Sequence, residues 1–169
     1  MNPQALYKIS YGLYVVASMK DGRFNAQIAN TVFQVTSQPV KVAVCINKQN
    51  LTHEFIEHSG LFSVSILKKE TPMKFIGTFG FRSGRDIDKF EGVNYITGKK
   101  GTPIVVDNSV AYIEAEVVNS LDVGSHTLFV GEVIDAEIFD DGEVMTYDYY
   151  HSIKKGKTPK TATVYFEQK

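Results

Sequence analysis

Apolar positions along the chain fall mostly into short runs or strict alternation, the patterns of β-strands rather than helices. Residues 13–19, apolar except for Ser18 and closed by Lys20-Asp21-Gly22, an Asp-Gly turn signal, read as a buried strand. Residues 31–36 and 40–47 are two further strands separated by Ser37-Gln38-Pro39. Over residues 62–67, Phe62, Val64 and Ile66 alternate with Ser63 and Ser65. The two longest strand candidates, residues 110–121 and 127–139, are joined by Asp122-Val123-Gly124-Ser125-His126, so a hairpin is predicted. No proline interrupts the six, and all can pair. Helical signals are shorter. Residues 3–10 place Leu6 and Ile9 three apart in an opening turn. Residues 50–58 put Leu51, Phe55 and Ile56 at helical spacing, with Asn50 or Thr52 as cap and Gly60 beyond the end. Thr71-Pro72 is a cap followed by proline at the first helical position, leading into Met73, Phe75, Ile76 and Phe79. Neighbouring antiparallel strands with a few short helices predict a mainly β fold, a small barrel with helical decorations.

Composition narrows the class. With 169 residues the chain is expected to form a single domain, residues 1–169, able to bury a core without disulfide or metal. Hydrophobic residues at 43% and charged ones at 22% exclude wholesale disorder. Lys and Arg number 18 against 19 Asp and Glu, a balance that counts against nucleic acid as partner. Cys45 is the single cysteine, which excludes an internal disulfide, a C-x-x-C redox pair and cysteine-rich metal sites. No apolar run approaches the ~20 residues of a membrane span, and the start lacks a charged signal-peptide region. A cytoplasmic protein without a membrane partner is therefore expected. The basic run 154–160 reads as a solvated surface or as a partner-facing one.

No metal site is expected. His53 and His58 are five apart, about 140° around a helix, and His126 and His151 lie in unrelated segments. The serine-elbow, P-loop and G-x-G-x-x-G patterns are all missing. Three polar segments hold more interest. In residues 45–53 a strand end gives way to Asn47, Lys48, Asn50 and Thr52 at the start of a helix, which serves either as plain N-capping or as a phosphate cradle. Residues 25–31 mix amides with small side chains, either a bulged or edge strand or a surface that a planar hydrogen-bonding ring can approach. Residues 80–90 combine Phe81, Arg82, Ser83, Gly84 and Arg85, a loop suited to an anionic or aromatic ligand or to surface ion pairs.

In order along the chain come Tyr7-Lys8-Ile9-Ser10-Tyr11-Gly12-Leu13-Tyr14, Gln27-Ile28-Ala29-Asn30-Thr31-Val32-Phe33-Gln34 and Ala43-Val44-Cys45-Ile46-Asn47-Lys48. Thr71-Pro72-Met73 with Phe75-Ile76-Gly77 follows, then Gly124-Ser125-His126-Thr127-Leu128-Phe129-Val130-Gly131-Glu132 and the closing run 155–166. Together these strings resemble the flavin reductase-like family, the FMN-binding split barrel, and most of all its archaeal-type ferric reductase and high-molecular-weight rubredoxin branches. The resemblance implies a six-stranded antiparallel Greek-key split β-barrel that forms a homodimer and holds FMN near the subunit interface. It implies that Asn25, Ala26, Gln27, Ile28, Ala29, Asn30 and Thr31 line the flavin ring, with Cys45, Ile46 and Asn47 along the ring and its side chain. Lys48, Asn50 and Thr52 would hold the phosphate; Phe81, Ser83 and Arg85 would form the loop above. His126 and Cys45 would lie near the flavin and modulate the reaction.

The implied activity is an FMN-dependent oxidoreductase taking hydride from NAD(P)H and passing electrons to a ferric chelate or free flavin. The alternatives are a flavoredoxin-like carrier fed by a protein donor and a non-catalytic dimeric binding module. No C-x-x-C pair follows the barrel before Lys169, so electrons are expected to leave to a diffusing small molecule or a separate redox protein.

Overall fold

The computed structural model describes residues 1–165. After a short 3-10 turn at Pro3–Lys8 the chain forms β1 (Tyr14–Lys20), β2 (Arg23–Ala29), β3 (Val32–Ser37) and β4 (Val40–Asn47). Helix α1 (Leu51–Ser59), β5 (Leu61–Leu67) and α2 (Met73–Phe81) follow. Two short strands, β6 (Tyr95–Thr97) and β7 (Pro103–Val105), precede the long pair β8 (Ser109–Asp122) and β9 (His126–Ile138), and α3 (Tyr147–Ser152) comes last.

Seven strands make one antiparallel sheet in the order β2-β1-β5-β8-β9-β4-β3, while β6 and β7 pair separately. The sheet curls on itself. Val16 of β1, Val44 of β4, Phe62 of β5, Ala115 of β8 and Phe129 of β9 share one buried cluster, which is the barrel interior. Its two end strands do not form a ladder with each other. Beyond them a single backbone bond, Cys45 N–H to the Thr31 carbonyl at 3.2 Å, links the stretch after β2 to β4. This is the split in the barrel. Register shifts in β8 at Glu114/Ala115 and Val117/Asn119 bend the long pair as closure requires. Gly131 is needed at the crossing: a Cβ there would stand 2.6 Å from Phe62 Cε1 and 2.8 Å from Ala115 Cβ.

Val15, Val16 and Ala17 follow one another without a polar break because both faces of β1 are covered. Val16 points into the barrel, whereas Val15 and Ala17 join Leu13, Ala26, Ile76, Phe79 and Phe90 in a second cluster between β1–β2 and α2. The expected count of six strands is corrected to seven in the main sheet and nine among the described residues. β2 escaped the apolar pattern because Asn25 and Gln27 interrupt it, and the edge position tolerates them. β6 and β7, three residues each, are too short to show a period. The hairpin between β8 and β9 is present: Asp122 Oδ1 accepts Gly124 N–H at 2.8 Å, and Gly124 takes φ 97°, the left-handed region.

Glu114, fully buried in β8, holds the β6–β7 turn. Its Oε2 accepts the Lys99 N–H at 2.7 Å, and its Oε1 accepts the Lys100 N–H at 3.1 Å and the Thr102 hydroxyl at 2.7 Å. Among the described residues no helix is long and apolar enough to cross a membrane. Phe166, at the end of the last matching string, lies outside the described residues.

Candidate functional site

A cleft opens where the end of β2, the end of β4, α2, α3 and the start of β9 meet. Convergent polar groups in a partly apolar cleft make it the candidate binding site. Gln27, Ile28, Ala29 and Asn30 line one wall, Cys45 and Asn47 the floor, and Phe81 and His126 the rim and far side. Eight of the expected residues are thus brought together.

The remaining expected residues surround this set. Asn25 and Thr52 are buried behind it, with Asn25 Nδ2 donating to Thr52 Oγ1 at 2.8 Å. Ala26 and Ile46 turn their side chains into the two cores and leave only backbone to a ligand. The Thr31 hydroxyl donates to Asn30 Oδ1 at 3.1 Å. Lys48 pairs with Asp122 at 2.6 Å across the hairpin, and that ammonium holds the Asp122 carboxyl below its usual range. Ser83 and Arg85 lie outside the cleft lining. Their loop folds onto α1 instead, with the Arg85 guanidinium on Glu54 and Ser83 Oγ accepting the Arg85 N–H at 3.1 Å. Gly84 permits this docking, because a Cβ there would collide with Asn25 Oδ1 and press on Leu51 at 3.1 Å.

The start of α1 leaves its first N–H groups open. Asn47 accepts the Asn50 N–H at 3.0 Å through its carbonyl and the Gln49 N–H at 2.9 Å through Oδ1, turning the chain sharply from β4 into the helix. Asn50, at the cap position, makes no side-chain cap bond. Its Nδ2 reaches Gln27 Oε1 at 3.1 Å instead. The first helical N–H groups are left without the usual side-chain acceptor. Asn30 supplies a second signal. It is only 6% exposed and lines the cleft, yet its Nδ2 has no hydrogen-bond partner among the described residues. A buried amide donor without an acceptor is costly unless a ligand provides one.

His126 donates from Nε2 to the Thr161 carbonyl at 3.2 Å, since a carbonyl can only accept, so Nδ1 takes the Ser125 hydroxyl at 2.8 Å. Burial lowers its pKa, and burial raises that of the Cys45 thiol. The ring is neutral and the thiol protonated at pH 7.

Three components of the cleft were not expected. Ile76 and Gly80 come from α2, Tyr147 and Tyr150 from α3, and residues within 157–163 return across the opening. Tyr150 donates its hydroxyl to the Lys157 carbonyl at 2.9 Å, and Tyr147 meets Thr158 at 2.8 Å. Gly156 rests directly on the Tyr150 ring, where no Cβ could fit. The concentration of Tyr147, Tyr149, Tyr150 and His151 was a usable signal; the return of the chain after it had none.

The flavin reductase like domain model matches residues 6–155. The chain belongs to the flavin reductase-like family. Within it, the chain is 61% identical to a ferric-chelate reductase (NAD(P)H) of Archaeoglobus fulgidus over the whole of both proteins. It is 50% identical to a high molecular weight rubredoxin of Moorella thermoacetica, covering 98% of this chain and 72% of that one. Among solved structures, the NADH:FAD oxidoreductase SgcE6 of Streptomyces globisporus C-1027 superimposes with a TM-score of 0.76 at 26% identity, covering 84% of this chain and 83% of that one. A flavin fits the residues present in this family member: the unpaired Asn30 donor faces the cleft and the open start of α1 adjoins the amide-bearing wall through Asn50 and Gln27.

Proposed function

We propose that the protein is an FMN-dependent NAD(P)H oxidoreductase that reduces ferric chelates or free flavin. The unpaired, nine-tenths buried Asn30 amide inside the cleft carries this reading, because it lacks the acceptor that the polar edge of a flavin ring offers. Flavin, when bound, supplies two-electron hydride acceptance from a nicotinamide and release of electrons to an acceptor.

The chain's own residues do the rest. Asn30 and the β2 backbone orient the ring, and Ile28 and Ile76 exclude water from it. Cys45, Ile46 and Asn47 would hold the ring and its side chain, with Ile46 contributing backbone alone. The start of α1 with Lys48 and Asn50, backed by buried Thr52, would moor the phosphate, which favours FMN over riboflavin. No side chain is required to move a proton in the hydride step. His126, neutral and bonded to Thr161, would tune access, and Cys45 would pack against the ring. The protein acts in the cytoplasm as one domain and a homodimer. Support for pairing comes from edge strand β3, where Phe33, Val35 and neighbouring Val40 are exposed.

The test is anaerobic. The FMN-loaded protein mixed with NADH or NADPH is expected to lose its oxidised-flavin absorbance rapidly and regain it on adding a ferric chelate. Bleaching by neither nicotinamide refutes the enzyme reading in favour of a carrier, and failure to bind FMN, FAD or riboflavin refutes flavin binding altogether. Light scattering across a concentration series reads the dimer, and a monomer at every concentration overturns it.

A further inference from the structure

Lys89 is 5% exposed and pairs with no carboxylate among the described residues. Its ammonium donates to two backbone carbonyls, Ala26 O at 2.9 Å and Phe79 O at 3.0 Å. Each carbonyl belongs to the peptide group leading into a cleft residue: Ala26 into Gln27, Phe79 into Gly80. Phe79 lies in the last turn of α2, whose carbonyls lack helical partners, and Ala26 lies on edge strand β2. The side chain thus spans from one wall of the cleft to the other, behind both. Gly80 packs tightly on that opposite wall, since a Cβ there would be 3.3 Å from Ile28 Cγ1.

A neutral donor would satisfy two carbonyls at far lower desolvation cost than an ammonium. Retaining the charge in this place calls for a use of the charge. We propose that Lys89 is a positioning residue for the flavin: it ties β2 to the end of α2 so that the cleft walls keep their separation, and its buried positive charge favours the reduced flavin over the oxidised one. A flavin ring that accepts a hydride gains two electrons and one proton, hence one negative charge, and a cation behind the wall stabilises that form. The inference rests on the flavin reading above. Burial without a counter-charge lowers the lysine pKa to about 8, which leaves it charged at pH 7.

The test compares wild type with Lys89→Met, which keeps side-chain length and removes an unpaired buried charge, and with Lys89→Gln, which keeps a donor without charge. Melting temperature establishes folding first. Dissociation constants for oxidised and reduced FMN are then measured, together with the two-electron midpoint potential of the bound flavin. Both variants are expected to bind oxidised FMN more weakly and to lose at least fivefold more affinity for the reduced form. At ~30 mV per tenfold for a two-electron couple, that ratio is a potential about 20 mV more negative. Lys89→Arg, which keeps the charge, is expected to restore the wild-type ratio. An unchanged ratio in either folded variant overturns the proposal, including the outcome in which both redox forms weaken equally. A wild-type protein that binds no FMN defeats the flavin reading instead, so the two failures are distinct.

Discussion

Asn30→Ala should act with opposite sign on the flavin-free and the flavin-loaded protein. In the flavin-free fold, Nδ2 is buried without an acceptor, at a cost of about 1–3 kcal/mol relative to the solvated unfolded chain. Alanine removes that cost. It also removes the bond that Oδ1 accepts from Thr31, worth about 0.5–1.5 kcal/mol. The difference leaves the flavin-free variant as stable as wild type or more stable by about 1 kcal/mol. In the loaded protein the same amide has found its acceptor, and its loss should weaken FMN binding by about 1–2 kcal/mol, roughly 5- to 30-fold at 1.4 kcal/mol per decade. Urea unfolding of flavin-free protein gives the first quantity, and quenching of flavin fluorescence gives the second. A variant destabilised by more than about 1 kcal/mol when empty, with wild-type FMN affinity, would refute the reasoning: Asn30 would then be a structural amide.

Glu114→Gln turns one acceptor oxygen toward an N–H or hydroxyl donor in the β6–β7 turn; a loss of about 3 kcal/mol is expected, lowering the melting temperature by roughly 6–12 °C. Gly84→Ala pushes the loop off Asn25, so trypsin should cut after Arg82 or Arg85 faster than in wild type, read by gel time course. Burial holds His53, His126 and His151 below 6.5, so the unfolded chain takes up protons first; stability present at neutral pH should fall as pH drops from 6.5 through the lowered values, and unfolding at pH 7 and 5.5 measures it. Lys89 has the same sign at higher pH. Its folded value of about 8 lies below 10.5, so wild type should gain on Lys89→Met by roughly 3 kcal/mol as pH rises from 8 toward 10.5, at 1.36 kcal/mol per pH unit.

Strands whose side chains meet a uniform environment were legible from the sequence. β4 occupies the predicted 40–47, because Val42, Val44 and Ile46 all enter one core. α1 and α2 follow from apolar spacing but not from the expected caps, since Asn50 makes no side-chain cap bond and Pro72, not Thr71, takes the cap position of α2. β2 resisted the same reading because its function overrides its period: Gln27 and Asn30 are kept for the cleft and Asn25 for Thr52. Local chemistry also found the floor of the site, where β4 turns into α1. Placement of Ser83 and Arg85 was not legible, since their ion pair with Glu54 depends on a tertiary approach across Gly84. Lys89, next to Asp88 and two residues before Glu91, looks like any solvated lysine until the fold buries it. Tyr147, Tyr150 and residues 157–163 reach the cleft through a chain reversal that no periodicity reports.

Gly156 sits against the Tyr150 ring with no space for even a methyl group. That makes the C-terminal run adjustable from outside the cleft. A substitution at this one position would displace residues 157–163 and uncover His126, while leaving the other cleft-lining residues chemically intact. Breadth of acceptor choice in this protein can therefore drift by hinge chemistry alone, so a selection for bulkier electron acceptors should enrich changes at Gly156 before it touches the ring-binding residues.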